Sequence, residues 1–182
     1  MNSFYTEEEL KELGFKSYGT NVLISKFARF YGISNMEIGN NVRIDDFCIL
    51  SGKIKIGDYV HISAYTALYG SHGIEISDYC GCSARTIIYS AMDDFSGDYM
   101  IGPMLPEELT NVTGGPVVLE KYVQLGANTA VMPNLTIGEG AVTGSCTLVR
   151  HDVEPWTVNI GIPSKVLKKR NNNPIELSKR IK

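Results

Sequence analysis

Residues 38–68 read IGNNVRIDDFCILSGKIKIGDYVHISAYTAL, and every sixth residue of this stretch is aliphatic. Those residues are Ile38, Ile44, Leu50, Ile56, Ile62 and Leu68. A period of six fits neither an α-helix, which repeats about every 3.6 residues, nor one long strand, whose sides alternate. It is typical of short strands separated by tight turns. The pattern therefore predicts a coil in which three such segments complete one turn.

The same period continues along the chain. After Leu68 the frame slips by two residues and resumes at Ile76, Cys82 and Ile88. After an interruption it returns at Leu119, Leu125, Val131, Ile137, Thr143 and Val149. A second inward residue is predicted four positions on, at Val42, Cys48, Ile54, Val60, Thr66, Cys80, Thr86, Val123, Thr129, Leu135, Ala141, Thr147 and Val153. Stacked coils would pair as parallel strands about 4.8 Å apart. The matched segments correspond to about five coils around one core.

Cysteine and turn residues fit such a coil. Three cysteines fall at inward positions and are predicted to be core residues: Cys48, Cys80 and Cys82. Cys146 falls outside the inward columns. Asn and Asp enter left-handed backbone conformations more readily than other side chains. Corners are therefore predicted at Asn40, Asn41, Asp58 and Asn134.

Three segments depart from the repeat, which is predicted to span residues 21–165. Residues 1–20 form a lead-in, where Thr6 and Glu9 match a capping box that opens a helix ending near Leu13. Tyr89–Pro116 has no six-residue frame and is acidic, which predicts a protruding arm or lid. Residues 166–182 form a basic tail with a second short terminal helix expected in the fold class.

Composition narrows the functional classes. The chain has 182 residues and a formal net charge of −3, which favours one domain without a basic field for nucleic acid. No stretch approaches the ~18 apolar residues of a membrane-spanning helix, and the first residues are polar. We therefore expect no membrane insertion and a cytoplasmic protein. The cysteines lack zinc-site spacing, so no metal site is predicted.

From Gly32 to Arg170 the chain resembles the hexapeptide-repeat acyltransferases, in the branch of galactoside and maltose acetyltransferases and surface-polysaccharide sugar acetyltransferases. The segment LGANTAVMPNLTIGEGAV…GIPSKVLKK, within residues 125–169, carries the branch resemblance. The resemblance implies an all-β, left-handed parallel β-helix. It also implies a homotrimer with active sites between subunits, acetyl-CoA as co-substrate and a small sugar as acceptor.

The resemblance also places the cofactor. Small residues at coil corners let the pantetheine arm approach the backbone, and these would be Gly126, Ala127, Gly144 and Ser145. The CoA phosphates require cations, and the basic residues after the GIPSK stretch are Lys165, Lys168, Lys169 and Arg170. A solvated basic end is the alternative interpretation of these cations.

The catalytic base is where the resemblance is incomplete. Asp93 stands where the branch has a histidine, and Ser63 stands where it has an acceptor-binding Asn. His61 is the first candidate base because it lies near Ser63; His72, in a slot predicted to point inward, is the second. His151 is expected to be structural. The predicted acceptor-binding residues are Ser63, Ser71, Asp93 and Asp94.

Three functions remain open at this stage. The first is transfer of an acetyl group from acetyl-CoA to a sugar hydroxyl in surface-polysaccharide synthesis. The alternative is N-acetylation of an amino sugar or nucleotide-linked amino sugar, because an amine needs a weaker base than a hydroxyl and Asp93 can hold an ammonium group. The second alternative is a non-catalytic β-helix. A carbonic anhydrase of this fold is disfavoured, since the three histidines lack the required spacing.

Overall fold

A parallel β-helix of about 7 turns forms the body of the protein in this computed structural model, which describes residues 3–181. The fold class predicted from the six-residue period is confirmed, with more coils than the expected five. Each coil has three faces. The first face is one parallel sheet built from Leu23–Ile24, Arg43–Ile44, His61–Ile62, Gly81–Cys82, Gln124–Leu125, Val142–Thr143 and Thr157–Ile160.

The second and third faces belong to one larger sheet, because two long strands bend around the corner between them. Its strands are Ser17–Tyr18, Arg29–Tyr31, Met36–Ile38, Ile49–Ile56, Ala67–Ile76, Ile87–Tyr89, Val117–Leu119, Ala130–Val131, Leu135–Ile137 and Leu148–Val149. The second face holds the strands around Leu50 and Leu68, and the third holds those around Ile56 and Ile76. We call the edge between the first and second faces corner A, between the third and first corner B, and between the second and third corner C.

The core consists of the two inward columns. Every position predicted to point inward from the period, apart from His72, is buried, including Thr66, Thr86, Thr129, Thr143 and Thr147. Burial also raises the pKa of the Cys48 thiol to about 11 and that of the Cys80 thiol to about 12. The core role predicted for the three inward cysteines is therefore confirmed. Cys146 is exposed at corner A.

Corner residues differ in part from the prediction. Asn41 and Asn134 have left-handed backbone angles, with φ of 56° and 60°. Asn40 and Asp58 also lie at a corner, as predicted, but they lack the left-handed backbone that was expected of them. Their side chains join coils instead: the Asp58 carboxylate accepts a bond of 2.7 Å from the Asn40 amide. Most other left-handed corners hold aromatic residues or Arg, which lie at Phe47, Tyr59, Tyr65, Tyr79, Arg85, Tyr122 and Trp156.

His72 does not point inward, so that prediction was also wrong; the residue is exposed. The reason is the two-residue slip. Gly52 pairs with Gly70 and Ile54 with Ile74, so three residues of one strand lie opposite a single residue of the other. The extra residues bulge outward at corner C and carry His72 with them.

The arm leaves the coil at corner C. It begins as a two-stranded antiparallel ribbon of Ala91–Asp93 and Val112–Gly114 and contains one 3₁₀ turn, Glu107–Leu109. Gly114 allows the ribbon to approach the coil closely, since a Cβ there would lie 2.2 Å from the Ser90 carbonyl oxygen. A second 3₁₀ turn, Ile33–Asn35, lies at the same corner three coils lower.

The ends of the chain flank the coils. Helix α1, Glu7–Leu13, begins with the predicted capping box. The Thr6 hydroxyl accepts a hydrogen bond from the Glu9 backbone amide, and the Glu9 carboxylate accepts one from the Thr6 backbone amide. Lys165–Lys169 returns antiparallel to Thr157–Ile160, and helix α2, Pro174–Ser178, follows. The predicted segments 1–20 and 166–182 each include positions outside the described residues, namely 1, 2 and 182.

We call the coils nearer the N-terminus the lower coils and those nearer the C-terminus the upper coils. At corner B, a column of stacked rings is covered at its upper end by this C-terminal segment. The column, which we call the covered ladder, consists of Tyr59, Tyr79, Tyr122 and Trp156, with neighbouring ring centroids 5.1–6.0 Å apart. The Tyr122 hydroxyl lies 2.7 Å from that of Ser178, and the Arg170 guanidinium lies 5.8 Å from the centroid of the Trp156 ring.

Candidate functional site

Corner A carries one residue per coil directly after the inward residue of the first face. From the lower to the upper coils these are Ser25, Asp45, Ser63, Ser83, Gly126 and Gly144. Backbone pairing stacks them: the Ser63 amide donates to the Cys82 carbonyl and the Ser83 amide to the Leu125 carbonyl, each over 2.9 Å. Corner A is therefore a continuous column that is polar below and glycine-rich above.

His61 lies beside this column on the outer side of the first face. His61, Ser63 and Ser83 line one small cavity of about 200 Å³. His61 Nε2 lies 2.8 Å from Asp45 Oδ2, one coil lower, and Arg43 Nε donates to Asp45 Oδ1 over 2.7 Å. Burial alone would raise the pKa of Asp45, but these two hydrogen bonds outweigh it and lower the pKa. The structure thus brings together His61 and Ser63, as predicted from the sequence.

Ser83 was missed by the sequence reasoning. It stands directly above Ser63 in the column and directly below Gly126. A signal was present: serine follows the inward residue of the first face at Ser25, Ser63 and Ser83, whereas glycine takes that position above the arm.

A second group of predicted residues lies at corner C. The His72 Nδ1 atom lies 3.3 Å from the Ser71 hydroxyl, and the His72 amide donates to the Ser90 hydroxyl over 2.9 Å. Ser90 in turn donates to the Tyr69 carbonyl over 2.9 Å. These contacts hold the bulge against the start of the arm.

The two arm carboxylates differ in their surroundings. Asp94 accepts from the Ser96 amide over 2.7 Å and from the Asn111 side-chain amide over 2.9 Å. These bonds, the Ser96 amide first, lower the pKa of Asp94 and give it a role inside the arm. The half-buried Asp93 side chain has no hydrogen-bond or ion-pair partner among residues 3–181. Of the pair, Asp93 is the one available to a ligand.

One chain does not bring the two groups together. Ser83 precedes the strand Ile87–Tyr89 at corner A, and Asp93 follows it beyond corner C. The second face therefore separates Ser83 and His61 from Asp93 and His72. A groove of about 550 Å³ lies at the base of the arm and is lined by Met92, Met132, Leu148 and Arg150 among others.

The small residues predicted to contact pantetheine all lie on the upper coils at corner A. A Cβ at Gly126 would lie 2.6 Å from the Gly144 backbone, and a Cβ at Gly144 would lie 2.8 Å from the Ile160 side chain. The stacking of the coils therefore requires glycine at position 126, whereas a side chain at position 144 would have to displace that of Ile160. Ala127 and Ser145 occupy the next position along the same corner, half-buried and exposed respectively. Cofactor contact by these four residues remains a prediction.

The predicted phosphate-binding cations lie across the first face. Lys165 pairs with Ile160, next to corner A, whereas Lys169 pairs with Thr157, next to corner B. Arg170 donates to the carbonyl oxygens of Gly140 and Tyr122 over 2.7 and 3.0 Å. Arg170 thus has structural partners at corner B, while Lys165, Lys168 and Lys169 are exposed and unpaired among the described residues. Phosphate contact remains a prediction for all four.

Comparisons with known proteins agree with the fold. The model of the bacterial transferase hexapeptide family, described as six repeats, matches residues 35–70. A dTDP-4-amino-4,6-dideoxy-D-glucose acyltransferase of Escherichia coli is 46% identical over 96% of this chain and 93% of its own length. The chain belongs to the hexapeptide-repeat sugar acyltransferases, enzymes that use a CoA-linked acyl donor.

Solved structures of an N-acyltransferase are also similar to this chain. AntD, an N-acyltransferase from Bacillus cereus crystallised with dTDP and 3-hydroxybutyryl-CoA, superposes with a TM-score of 0.96. It is 50% identical over 98% of this chain and 96% of its own. Another AntD structure holds dTDP-4-amino-4,6-dideoxyglucose and coenzyme A. A putative lipopolysaccharide O-acetyl transferase of Escherichia coli K12 is more distant, at 29% identity over 76% of this chain and 70% of its own length.

Two structural observations concern other classes of protein. Within residues 3–181, no helix has the length and apolarity to cross a membrane. The same residues contain no cluster of three or more His, Cys, Asp or Glu side chains arranged to hold a metal ion.

Proposed function

We propose that this enzyme transfers an acyl group from acyl-CoA to the amino group of a dTDP-linked 4-amino sugar. The observation that carries the proposal is the likeness to AntD, 50% identical over 98% of this chain and solved with dTDP-4-amino-4,6-dideoxyglucose and CoA. This is the N-acylation expected as the alternative from the sequence. The O-acetylation placed first has weaker support, since the O-acetyl transferase relative is 29% identical.

The geometry of corner A supports the same reaction. Pantetheine on the upper coils, along Gly126 and Gly144, would point its thioester down toward Ser83. The acceptor amine would then lie at Ser83 and Ser63, whose hydroxyls can each accept or donate a hydrogen bond. Cations for the CoA phosphates would come from Lys165, Lys168 and Lys169 at the upper end.

Acylation of an amine by a thioester does not require a strong catalytic base. The amine nitrogen uses its lone pair to form a bond with the thioester carbonyl carbon, and the carbon–sulfur bond breaks. The nitrogen loses one proton and the CoA thiolate gains one, so the products are an amide and free CoA. A free carboxylate such as Asp93 can hold the ammonium form of the acceptor in place before its proton leaves.

A complete site needs a second copy of the chain. Asp93 and Ser83 lie on opposite edges of the second face, so a sugar held by both would lie between neighbouring subunits. We therefore keep the homotrimer with intersubunit sites as part of the proposal. Light scattering should give about three times the 20.0 kDa chain mass. A monomer at micromolar concentration would contradict the shared site.

The reaction is tested by supplying matched acceptors. The purified protein should release CoA from acetyl-CoA or 3-hydroxybutyryl-CoA with dTDP-4-amino-4,6-dideoxyglucose, and mass spectrometry should find the amide. The control is dTDP-6-deoxyglucose, which carries a hydroxyl at the same carbon. Acylation of the hydroxyl compound with no reaction of the amine would overturn the proposal. Comparing the two donors identifies the preferred acyl group.

A further inference from the structure

A second column of rings stands at corner A and is open to solvent. Phe27, Phe47 and Tyr65 stack with centroids 5.7 and 5.0 Å apart, and the Arg85 guanidinium lies 5.8 Å from the centroid of the Tyr65 ring. We call these four residues the open ladder. The three rings are 51%, 49% and 54% exposed. Apolar surface of this kind on a folded protein commonly marks a binding site.

The fold alone does not call for these residues. Phe47, Tyr65 and Arg85 all have φ of 61–63°, a left-handed backbone that favours Gly, Asn or Asp over aromatic side chains. The next coil has Asn128 at the equivalent position, with φ of 58°. Tyr59, Tyr79 and Tyr122 at corner B share this backbone, so it is the exposure of the corner A rings, rather than their φ, that sets the open ladder apart.

The ladder lies where the rest of the acceptor has to go. The upper half of corner A is assigned to pantetheine, and the reacting amine to Ser83. A nucleotide attached to the sugar must then extend along the lower half, where Arg85 follows Ser83 by two residues and Tyr65 lies one coil below. A flat pyrimidine base stacks favourably on aromatic side chains, and guanidinium groups bind phosphate oxygens.

Charges at this corner leave Arg85 available. Asp45 is occupied by Arg43 and His61, and Asp46 accepts a bond from the Ser25 hydroxyl. The Arg85 side chain has no carboxylate partner among residues 3–181. Its guanidinium is presented to solvent beside the ring of Tyr65, and an anion can reach it without displacing an ion pair.

We propose that the open ladder is the nucleotide subsite, with the thymine base stacked on the rings and the diphosphate on Arg85. The inference rests on the proposed function, since it assumes a nucleotide-linked acceptor. A second copy of the chain packed on the rings is the competing occupant. Charge complementarity favours the nucleotide, because a diphosphate matches an unpaired guanidinium.

The test measures dTDP affinity of full-length variants by titration calorimetry. Base–ring stacking is worth about 1–3 kcal/mol per base, so Tyr65→Leu should raise the Kd for dTDP by about 5- to 100-fold. Arg85→Gln should raise it by about 10-fold or more through loss of a charge-assisted contact. KM for acyl-CoA should stay within about twofold for both variants, since the cofactor lies on the upper coils.

Matched controls lie at corner B. Tyr122→Leu removes a ring from the same backbone conformation, φ of 63°, and Lys121→Gln removes a surface cation; both should bind dTDP like the wild type. Unchanged dTDP affinity in folded Tyr65→Leu and Arg85→Gln would overturn the inference while leaving N-acylation intact. Loss of the wild-type mass in Tyr65→Leu would assign the ladder to a subunit contact and also overturn it. Failure of the wild type to acylate the amino sugar would instead overturn the proposed function.

Discussion

The covered ladder and the open ladder share the same left-handed backbone conformation but differ in their surroundings. Both place aromatic residues at left-handed corners, and both stack them from coil to coil. The covered ladder at corner B is held by Arg170 and Ser178 and ties the C-terminal segment to the coils. The open ladder at corner A has rings about half exposed and adjoins Ser83. The comparison suggests that corner B contributes stability and corner A contributes binding.

The largest expected effect concerns the chemistry assigned to the corner A column and to the arm at corner C. If an amine is the acceptor, Asp93→Asn should lower kcat/KM by about 10²–10³-fold, because the variant cannot hold an ammonium group by charge. His61→Ala should remain within about fivefold of the wild type. Steady-state kinetics with the amino-sugar nucleotide check both, and Asp98→Asn in the exposed part of the arm is the control. A near-normal Asp93→Asn together with a His61→Ala loss of about 10²–10⁴-fold would restore His61 as the base.

The next effect tests stability at corner B against corner A. Trp156 packs on Gly140, where a Cβ would lie 2.3 Å from the indole, and on Tyr122. Trp156→Leu should therefore lower the free energy of unfolding by about 2 kcal/mol, less than for a fully buried ring. Phe47→Leu, a half-exposed ring of the open ladder, should lower it by less than about 1 kcal/mol. Denaturant titration checks both, and equal losses would erase the proposed difference between the corners.

A smaller effect separates the basic residues of the C-terminal strand. Arg170→Met should lower the free energy of unfolding by about 1–2 kcal/mol, because the Gly140 and Tyr122 carbonyls lose their donor, and should leave CoA affinity unchanged. The double variant Lys168→Met and Lys169→Met should do the reverse, weakening CoA binding in a salt-dependent way with little effect on unfolding. CoA affinity that is insensitive to both changes would mean that this strand is solvated and plays no part in phosphate binding.

The smallest effect is a pH dependence of the free energy of unfolding, to which one carboxylate at each of the two corners contributes. Burial by itself would raise the pKa of Asp45 and of Asp78. Hydrogen bonds outweigh it and lower both values: Arg43 and His61 donate to Asp45, and Lys121 and the Asp58 backbone amide donate to Asp78. A carboxyl whose pKa is lower in the folded state stabilises the fold above its unfolded pKa, about 3.9, and loses that contribution as pH falls through the folded value. Each should contribute less than about 1 kcal/mol, since both are partly exposed. Urea titrations between about pH 6 and 3 should show a shallower loss of stability for Asp78→Asn than for the wild type.

The sequence alone determined the coil and its core. A strict period of six places side chains inward at fixed steps, so the aliphatic, threonine and cysteine columns followed from spacing without knowledge of any contact. The capping box at Thr6 and Glu9 followed from local chemistry in the same way. The arm was located because it interrupts the period. These features depend on short-range geometry, which residue order specifies directly.

Only the tertiary structure decided which residues meet. The period does not distinguish one corner from another, so it placed neither Ser83 above Ser63 nor the two ladders on different edges. It misplaced His72, because two extra residues bulge outward instead of continuing the inward column. It grouped Asp93 with His61, although a whole face separates them within one chain. Such relations join residues about twenty positions apart, one coil length, and depend on how the chain closes each turn.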